Sequence, residues 1–397
     1  MSLSNSENQL EPPFPFAEKE YEDRIQRFKA DMQRRELDVM LLFANHSFFY
    51  LYGYDMAAGA AISYQTIIAP LDGGPVAFVR NTMAEWVSHS PFLNDIRTYD
   101  TPFNDDNAKM TVEILADLNL LSGKRIGIEK RSLTLNAYDY DLVREQVERG
   151  GGQLVDASDL VMELRIHKSP AEVAYMRQAG HLYDVVMEAT FAAMKPGIRE
   201  CDVNAEALHA LYSAGGEDVA QPLMIIPAVM SRTNMLPPTR RMLMAGEPMF
   251  IEAGACFNRY HAVGGTTVAC GAEPGKEMLE AFARARDAID VTRSLIKPGV
   301  STADVIKAVI DVRDIKDHEA FHAGYGIGIG YRYLWHEDLI IRVGDEHVLE
   351  ENMTLSLFGF ATIGEYFFIV SDPVVITTNG FDDLSTLPRD ELRVVGA

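Results

Sequence analysis

Cysteine is scarce in this chain, with 3 in 397 residues, at Cys201, Cys256 and Cys270. That number and scatter exclude a disulfide framework and a CxxC zinc site, and point to buried thiols in a reducing compartment. Basic residues are few as well, 36 Lys and Arg against 58 Asp and Glu, for a formal net charge of -22. Binding to a phosphate backbone needs clustered cations to displace counterions, so nucleic acid is excluded as a partner, and the acidic surface suits cationic small molecules better. No apolar run reaches the roughly 20 residues of a membrane span, so no membrane role is expected. The opening stretch, Met1 to Glu20, is polar and acidic rather than basic and then apolar. It predicts a flexible tail over residues 1–20 on a soluble cytoplasmic protein.

What is present is enough chain for two cores, since single hydrophobic cores stop growing beyond roughly 250 to 300 residues. The first half alternates helical and strand patterns: an amphipathic helix near Tyr21 to Arg35, then a β-rich run from Asp38 to Ala44. Apolar runs Tyr64 to Ala69 and Pro75 to Val79 flank Leu71-Asp72-Gly73-Gly74, which reads as a hairpin. Arg125 to Glu129 and Gln153 to Val155 read as further strands. A boundary falls at Leu164 to Pro170, where Ser169 as N-cap, Pro170 at the first helical position and Glu172 compose a capping box. The expected organisation is a tail over 1–20, an α/β domain over 21–163 and a second domain over 164–397.

The second domain contains an internal echo. Lys195-Pro196-Gly197 ends one helix and Asp202-Val203 opens the next; Lys297-Pro298-Gly299 and Asp304-Val305 repeat this at the same spacing. Two such junctions in matching contexts point to a duplicated α/β unit about a pseudo-twofold axis, the alternative being coincidence of a common helix breaker.

These junctions, the Arg165 to Glu172 linker, Gly324-Tyr325-Gly326-Ile327-Gly328, Trp335-His336-Glu337 and the closing Asp372 to Gly380 strand resemble the pita-bread fold of aminopeptidase P, prolidase and creatinase. The resemblance, to the M24 family, implies an α/β (α+β) chain: a creatinase-like N-terminal domain followed by a pita-bread domain. It also implies a homodimer whose N-terminal domain reaches toward the partner's active site. Peptidases of that family hold two divalent ions with two Asp, one His and two Glu, which bridge hard cations and polarise a shared water. Here those positions read Glu252, Val263, Tyr325, Phe358 and Ser371. One carboxylate remains, so no metal and no cofactor are expected. Gly53-Tyr54-Asp55 with Tyr64-Gln65, Glu252-Ala253-Gly254 leading to Arg259-Tyr260-His261-Ala262, and Gly324 to Tyr331 are most similar to the ectoine hydrolase group.

Glu252 is then the leading candidate, as nucleophile or base, because a carboxylate in an apolar strand without metals needs a cation, which an amidinium or guanidinium substrate supplies. The bland alternative pairs it with Arg259 or protonates it in the core. His261, His336 and Tyr325 complete the expected catalytic set, the histidines moving protons and the tyrosine orienting substrate. His322 is a weaker candidate of the same kind. Arg259, Tyr260, Tyr331, Trp335, Glu337 and Phe358 are expected to bind substrate, the rings through their negative faces, unless they only fill the volume vacated by the ions. Arg232, Arg240, Arg241 and Arg332 are unspecific candidates for a substrate carboxylate. The glycines from Gly324 to Gly330 fit a close-packed strand better than a phosphate loop. The expected activity is metal-independent hydrolysis of a carbon-nitrogen bond in a small cationic cyclic amidine or guanidino compound. The alternatives are an Xaa-Pro peptidase-like metallohydrolase and a homologue that binds a small ligand without turning it over.

Overall fold

The computed structural model describes residues 14–55, 63–100, 106–229, 237–313, 322–364 and 366–397. The chain divides between Arg165 and Ile166 into two compact units. Among the described residues no helix is long and apolar enough to cross a membrane.

The first unit runs α1 (Glu18–Arg34), β1 (Val39–Leu42), α2 (Asn45–Tyr52), β2 (Thr66–Pro70), β3 (Val76–Arg80), α3 (Ala84–Val87) and β4 (Asp95–Tyr99). It continues through α4 (Asp106–Asp117), β5 (Arg125–Ile128), α5 (Ala137–Arg149), β6 (Gln153–Asp156) and α6 (Asp159–Ile166). The six strands line up in the order β4-β3-β2-β1-β5-β6. β2 and β3 form the antiparallel hairpin that the glycine pair at 73–74 predicts, with Ile68 opposite Val76. Central strand β1 is buried at every position, which is why Val39 to Leu42 reads as a continuous apolar run. The tail expected over residues 1–20 does not extend past residue 15, because Phe16 is buried and α1 begins at Glu18. Residues 1–13 of it lie outside the described residues. Tyr54 and Gln65, both singled out in the sequence, meet here: the tyrosine hydroxyl donates to Gln65 Oε1 at 2.9 Å.

The second unit opens with α7 (Pro170–Ala193) and α8 (Glu200–Ser213), followed by β7 (Met224–Pro227), β8 (Glu247–Phe257) and β9 (Tyr260–Cys270). Then come α9 (Lys276–Leu295), α10 (Thr302–Arg313), β10 (His322–Tyr331), β11 (Leu334–Arg342), β12 (Thr354–Ile363), β13 (Tyr366–Thr377), β14 (Gly380–Asp383) and β15 (Val394–Val395). The capping box that starts α7 is complete: Ser169 Oγ accepts from the Glu172 N–H and Glu172 Oε2 accepts from the Ser169 N–H. The sheet has nine strands, with the path β11-β10-β12-β13-β9-β8-β7, β14 on β13 and β15 on β9.

The two KPG junctions are built alike. Gly197 and Gly299 have φ of 84° and 85°, a left-handed conformation that glycine adopts without strain. Gly197 N–H donates to Leu243 O and Gly299 N–H to Leu349 O, at 2.9 and 2.8 Å. Isolated antiparallel bridges follow at matching positions, Arg199 with Met242 and Ser301 with Val348. Each half has its own core. One gathers Leu182, Val186, Val203, Ile251 and Ala253 between α7, α8 and the β8–β9 hairpin. The other gathers Phe282, Ile289, Val305, Leu357 and Val370 between α9, α10 and the β12–β13 hairpin. Both helix pairs cover one face of the sheet, which leaves the opposite face for a site.

A buried ion pair pins β11. Lys168 Nζ binds Glu337 Oε2, both side chains being almost wholly out of water, and it also donates to Ile166 O at 3.3 Å. Gly328 makes the room, since a Cβ there would stand 2.3 Å from Glu337 Oε1. Breaking such a pair on one side leaves an uncompensated buried charge, whereas replacing both partners with apolar side chains does not. Lys168→Met alone is therefore expected to lower unfolding stability by about 3–5 kcal/mol in urea titrations, and the K168M/E337L double variant to regain most of it. A double variant no more stable than the single one would refute this.

Candidate active site

The β8–β9 hairpin turns through two residues, Asn258 and Arg259, with φ of 48° and 66°. Two consecutive left-handed residues are what a tight two-residue hairpin demands, and asparagine tolerates that conformation best after glycine. Glu217 holds the turn: its carboxylate accepts the N–H groups of Asn258 and Arg259 at 2.8 and 3.2 Å and pairs with the Arg259 guanidinium at 2.5 Å. With Phe257 opposite Tyr260 the register is set, and Glu252 stands opposite Gly265. A Cβ on Gly265 would meet Ile251 O at 2.4 Å, so the position beside Glu252 carries no side chain.

The register continues across the sheet. Gly265 pairs with Ser371, Ser371 with Phe358, and Tyr325 with Ser356. Directly opposed residues of antiparallel strands share a face, so Glu252, Ser371, Phe358, Ser356 and Tyr325 all point to the face away from the helices. Ser356 and Ser371 lie 3.1 Å apart through their hydroxyls. The Tyr325 hydroxyl donates to Glu252 Oε1 at 3.5 Å and accepts from Trp335 Nε1 at 3.3 Å. The indole in turn lies on Gly254, where a Cβ would come within 2.6 Å of the ring. Around Tyr325 stand His336, Phe358 and His322, with ring centroids 3.9, 5.2 and 6.2 Å away.

Burial dominates the electrostatics of this cluster. Glu252 is 4% exposed and its pKa is pushed up to about 7; loss of water is the main cause, opposed only by the Tyr325 hydrogen bond. No cation among the described residues contributes to that balance. Burial drives the His336 pKa down to about 4, with His322 adding to the effect, and lowers His322 too. Near neutral pH the site therefore holds two uncharged imidazoles and a carboxyl poised between its protonated and ionised forms. A carboxyl tuned to the working pH is the group that exchanges protons most effectively.

Of the residues expected at the site, Glu252, Tyr325, His336, Trp335 and Phe358 come together, and five do not. His261 opposes Cys256, four residues along β8 from Glu252, about 13 Å at the strand rise, and reaches the cluster only at its edge, its ring 6.3 Å from that of Trp335. Its Nδ1 donates to Arg259 O at 2.9 Å and its Nε2 accepts from the Ala220 N–H at 3.0 Å, so both nitrogens serve the backbone. Its pKa of about 4 keeps it neutral. Tyr260 donates to Glu172 Oε1 at 2.7 Å and ties β9 to the α7 capping box. Arg259 pairs with Glu217, and not with Glu252; its guanidinium also lies 6.0 Å above the Tyr331 ring. Tyr331 is six residues beyond Tyr325 on β10, about 20 Å away. Glu337 is held by Lys168. Arg241 pairs with Glu200 and Glu247 and Arg332 with Asp218; Arg232 lies outside the described residues. Ser356 was missed, although its place two residues before Phe358 on one strand face was a usable signal.

The residues present do not fit a pair of divalent ions. The five positions supply one carboxylate, one phenol and one hydroxyl, while Val263 and Phe358 have no donor atom at all. Among the described residues no group of three or more His, Cys, Asp or Glu could hold a metal ion.

Comparison with known proteins bears on both units. The sequence model of metallopeptidase family M24 matches residues 174–378, and that of the creatinase/prolidase N-terminal domain matches residues 24–167. Ectoine hydrolase of Halomonas elongata is 25% identical over 403 residues, covering 96% of this chain and 98% of that protein. Among solved structures, the prolidase from Thermococcus sibiricus superimposes with a TM-score of 0.84 at 18% identity, over 94% of this chain and 99% of that one. The Xaa-Pro dipeptidase from Bacillus anthracis gives 0.79 at 18% identity, over 94% and 100%. At these identities the structures speak to the fold alone.

The raised pKa of Glu252 has a stability consequence of definite sign. A carboxyl whose folded-state pKa is about 7 rather than the ordinary 4.5 favours the folded state fully below pH 4.5, and that contribution is lost as pH rises through 7. The loss amounts to about 3 kcal/mol. The difference in stability between the parent protein and Glu252→Gln, from urea titrations between pH 4 and 8, should change by that order and level off above 7. A difference independent of pH would show that Glu252 titrates normally.

Proposed function

The chain belongs to metallopeptidase family M24, and from that premise we propose that it hydrolyses a carbon-nitrogen bond in a small cationic cyclic amidine, without a metal pair. The observation that carries this reading is Glu252, a buried carboxyl on the site face with no cation among the described residues to balance it. An amidinium would supply the missing charge and bring its electrophilic carbon to the carboxylate. The likeness to ectoine hydrolase over nearly the full length of both chains supports a cyclic amidine over a peptide. The donor set at the five ligand positions argues against the peptidase chemistry named for the structural neighbours.

In this reading the substrate cation stacks on Tyr325 and Phe358, whose faces are worth roughly 0.5–2 kcal/mol each when desolvated. Glu252, held by Tyr325, takes a proton from water as the oxygen adds to the amidinium carbon. The tetrahedral intermediate then breaks its ring carbon-nitrogen bond as the proton held by Glu252 passes to the departing nitrogen, and the remaining hydroxyl proton follows to that nitrogen as the carbonyl forms, leaving an amide, an ammonium group and an ionised Glu252. Direct attack by the carboxylate, with the ring nitrogen leaving and water opening the resulting imidoyl-enzyme, uses the same residue and gives the same products. Trp335 acts through Tyr325 by fixing its hydroxyl. The family resemblance further suggests a cytoplasmic homodimer in which a partner's N-terminal unit completes the site.

Proton NMR of chelator-treated protein with ectoine, creatine and an Xaa-Pro dipeptide tests the proposal. Ring opening of ectoine is expected to survive chelation and to fall at least a thousandfold in Glu252→Gln, the scale of a lost general base combined with lost charge stabilisation. Dipeptide cleavage that returns only with manganese, or full turnover by E252Q, would overturn it.

A further inference from the structure

His322 and His336 share a state that the hydrolytic reading does not use. Both flank Tyr325, and His322 also meets Phe358 edge-on at 5.6 Å. In each ring Nδ1 is buried and has no hydrogen-bond partner. A neutral imidazole carries its proton on one nitrogen only, and an unpaired N–H is harder to bury than an unpaired acceptor. The proton therefore sits on Nε2 in both rings, which presents an N–H donor and bonds to no described residue. Burial keeps both rings neutral, so they are donors without being cations.

Two neighbouring donors of this wall are engaged, while Arg342, opposite His322 on β11, is a cation close enough to lower the imidazole's pKa further and to add to the pull on an anion. Tyr325 gives its hydrogen to Glu252 and Trp335 gives its own to Tyr325. Two N–H groups beside one aromatic wall thus remain for a ligand.

The geometry points to a second subsite at His322 and His336, which takes a carboxylate of the ligand through two Nε2–H donors, so that the ligand is a zwitterion with its cationic end at Glu252. It rests on the reading of Glu252 as the cation subsite. Two donors match the two oxygens of a carboxylate, and a carboxylate is the acceptor that strengthens most when the donors stand out of water. A zwitterion brings no net charge into the site, which is what a site out of water favours.

The probes are ectoine, its decarboxylated analogue 2-methyl-1,4,5,6-tetrahydropyrimidine, and acetate alone, titrated against protein labelled with nitrogen-15 in its histidines. Ectoine and acetate are expected to shift the Nε2 resonances of His322 and His336, and the decarboxylated analogue to leave them in place. His322→Phe should weaken ectoine binding about tenfold or more while changing that of the analogue less than about twofold. His322→Gln, which keeps an N–H donor, should recover most of the loss. Equal weakening for ectoine and the analogue, or ring resonances unmoved by ectoine and acetate alike, would overturn the subsite. If acetate moves both rings but ectoine is not hydrolysed, the hydrolytic reading fails and the carboxylate subsite stands.

Discussion

Among the described residues Glu252 holds a carboxyl group out of water with one hydrogen bond and no counter-ion, and the arrangement of the second unit follows from keeping it there. An isolated buried charge is among the costliest features a fold can contain, and the usual outcome is a raised pKa or a partner. Here the partner is a phenol. Tyr325 can donate to the carboxylate only because Trp335 fixes its oxygen, and Trp335 reaches it only because Gly254 offers no side chain. A proton donor, a clamp on that donor and a gap in the strand beneath the clamp thus act as one unit. Bulky rings fill the rest of the volume that charged ligands would need.

The sheet carries this chemistry because it is a doubled structure. Each KPG junction ends one helix, bonds back to a strand-like segment and starts another helix, and each helix pair covers one hairpin. Two such halves joined edge to edge leave a single continuous face opposite the helices. On it, residues far apart in the chain are set side by side by hydrogen-bond register alone: Glu252, Gly265, Ser371 and Phe358 form one row across four strands.

Much of this was legible in the sequence, and the misses have a common cause. The strands, the capping box and the helix junctions rest on local rules of periodicity and capping, and they appear within a few residues of where those rules put them. Tyr325, Phe358 and Glu252 were placed together by resemblance, and the register explains why. His261 was expected at the site because it follows Glu252 across one hairpin, and Tyr260 and Arg259 beside it as substrate-binding groups. In a hairpin, however, residues of the two strands are neighbours only when they lie equally far from the turn, so Glu252 faces Gly265. Those three sit at the turn, where backbone groups and the α7 cap use up their hydrogen bonds. Glu337 could not be separated from its neighbours by pattern, since the lysine that holds it comes from 169 residues away.

The turn at Asn258 and Arg259 has a consequence for how chains of this kind can diverge. Along β8, Ile251 and Ala253 pack into the helix-side core while Glu252 and Gly254 face the other way. Alternation in a strand is strict, so a single residue gained or lost between the turn and Glu252 would exchange these two sets and drive a carboxylate in among Leu182 and Val186. Length changes in this hairpin are therefore survivable only in pairs, or beyond the Glu217 clasp. In descent, the spacing from Glu252 to the turn should be more constant than the residues that occupy it.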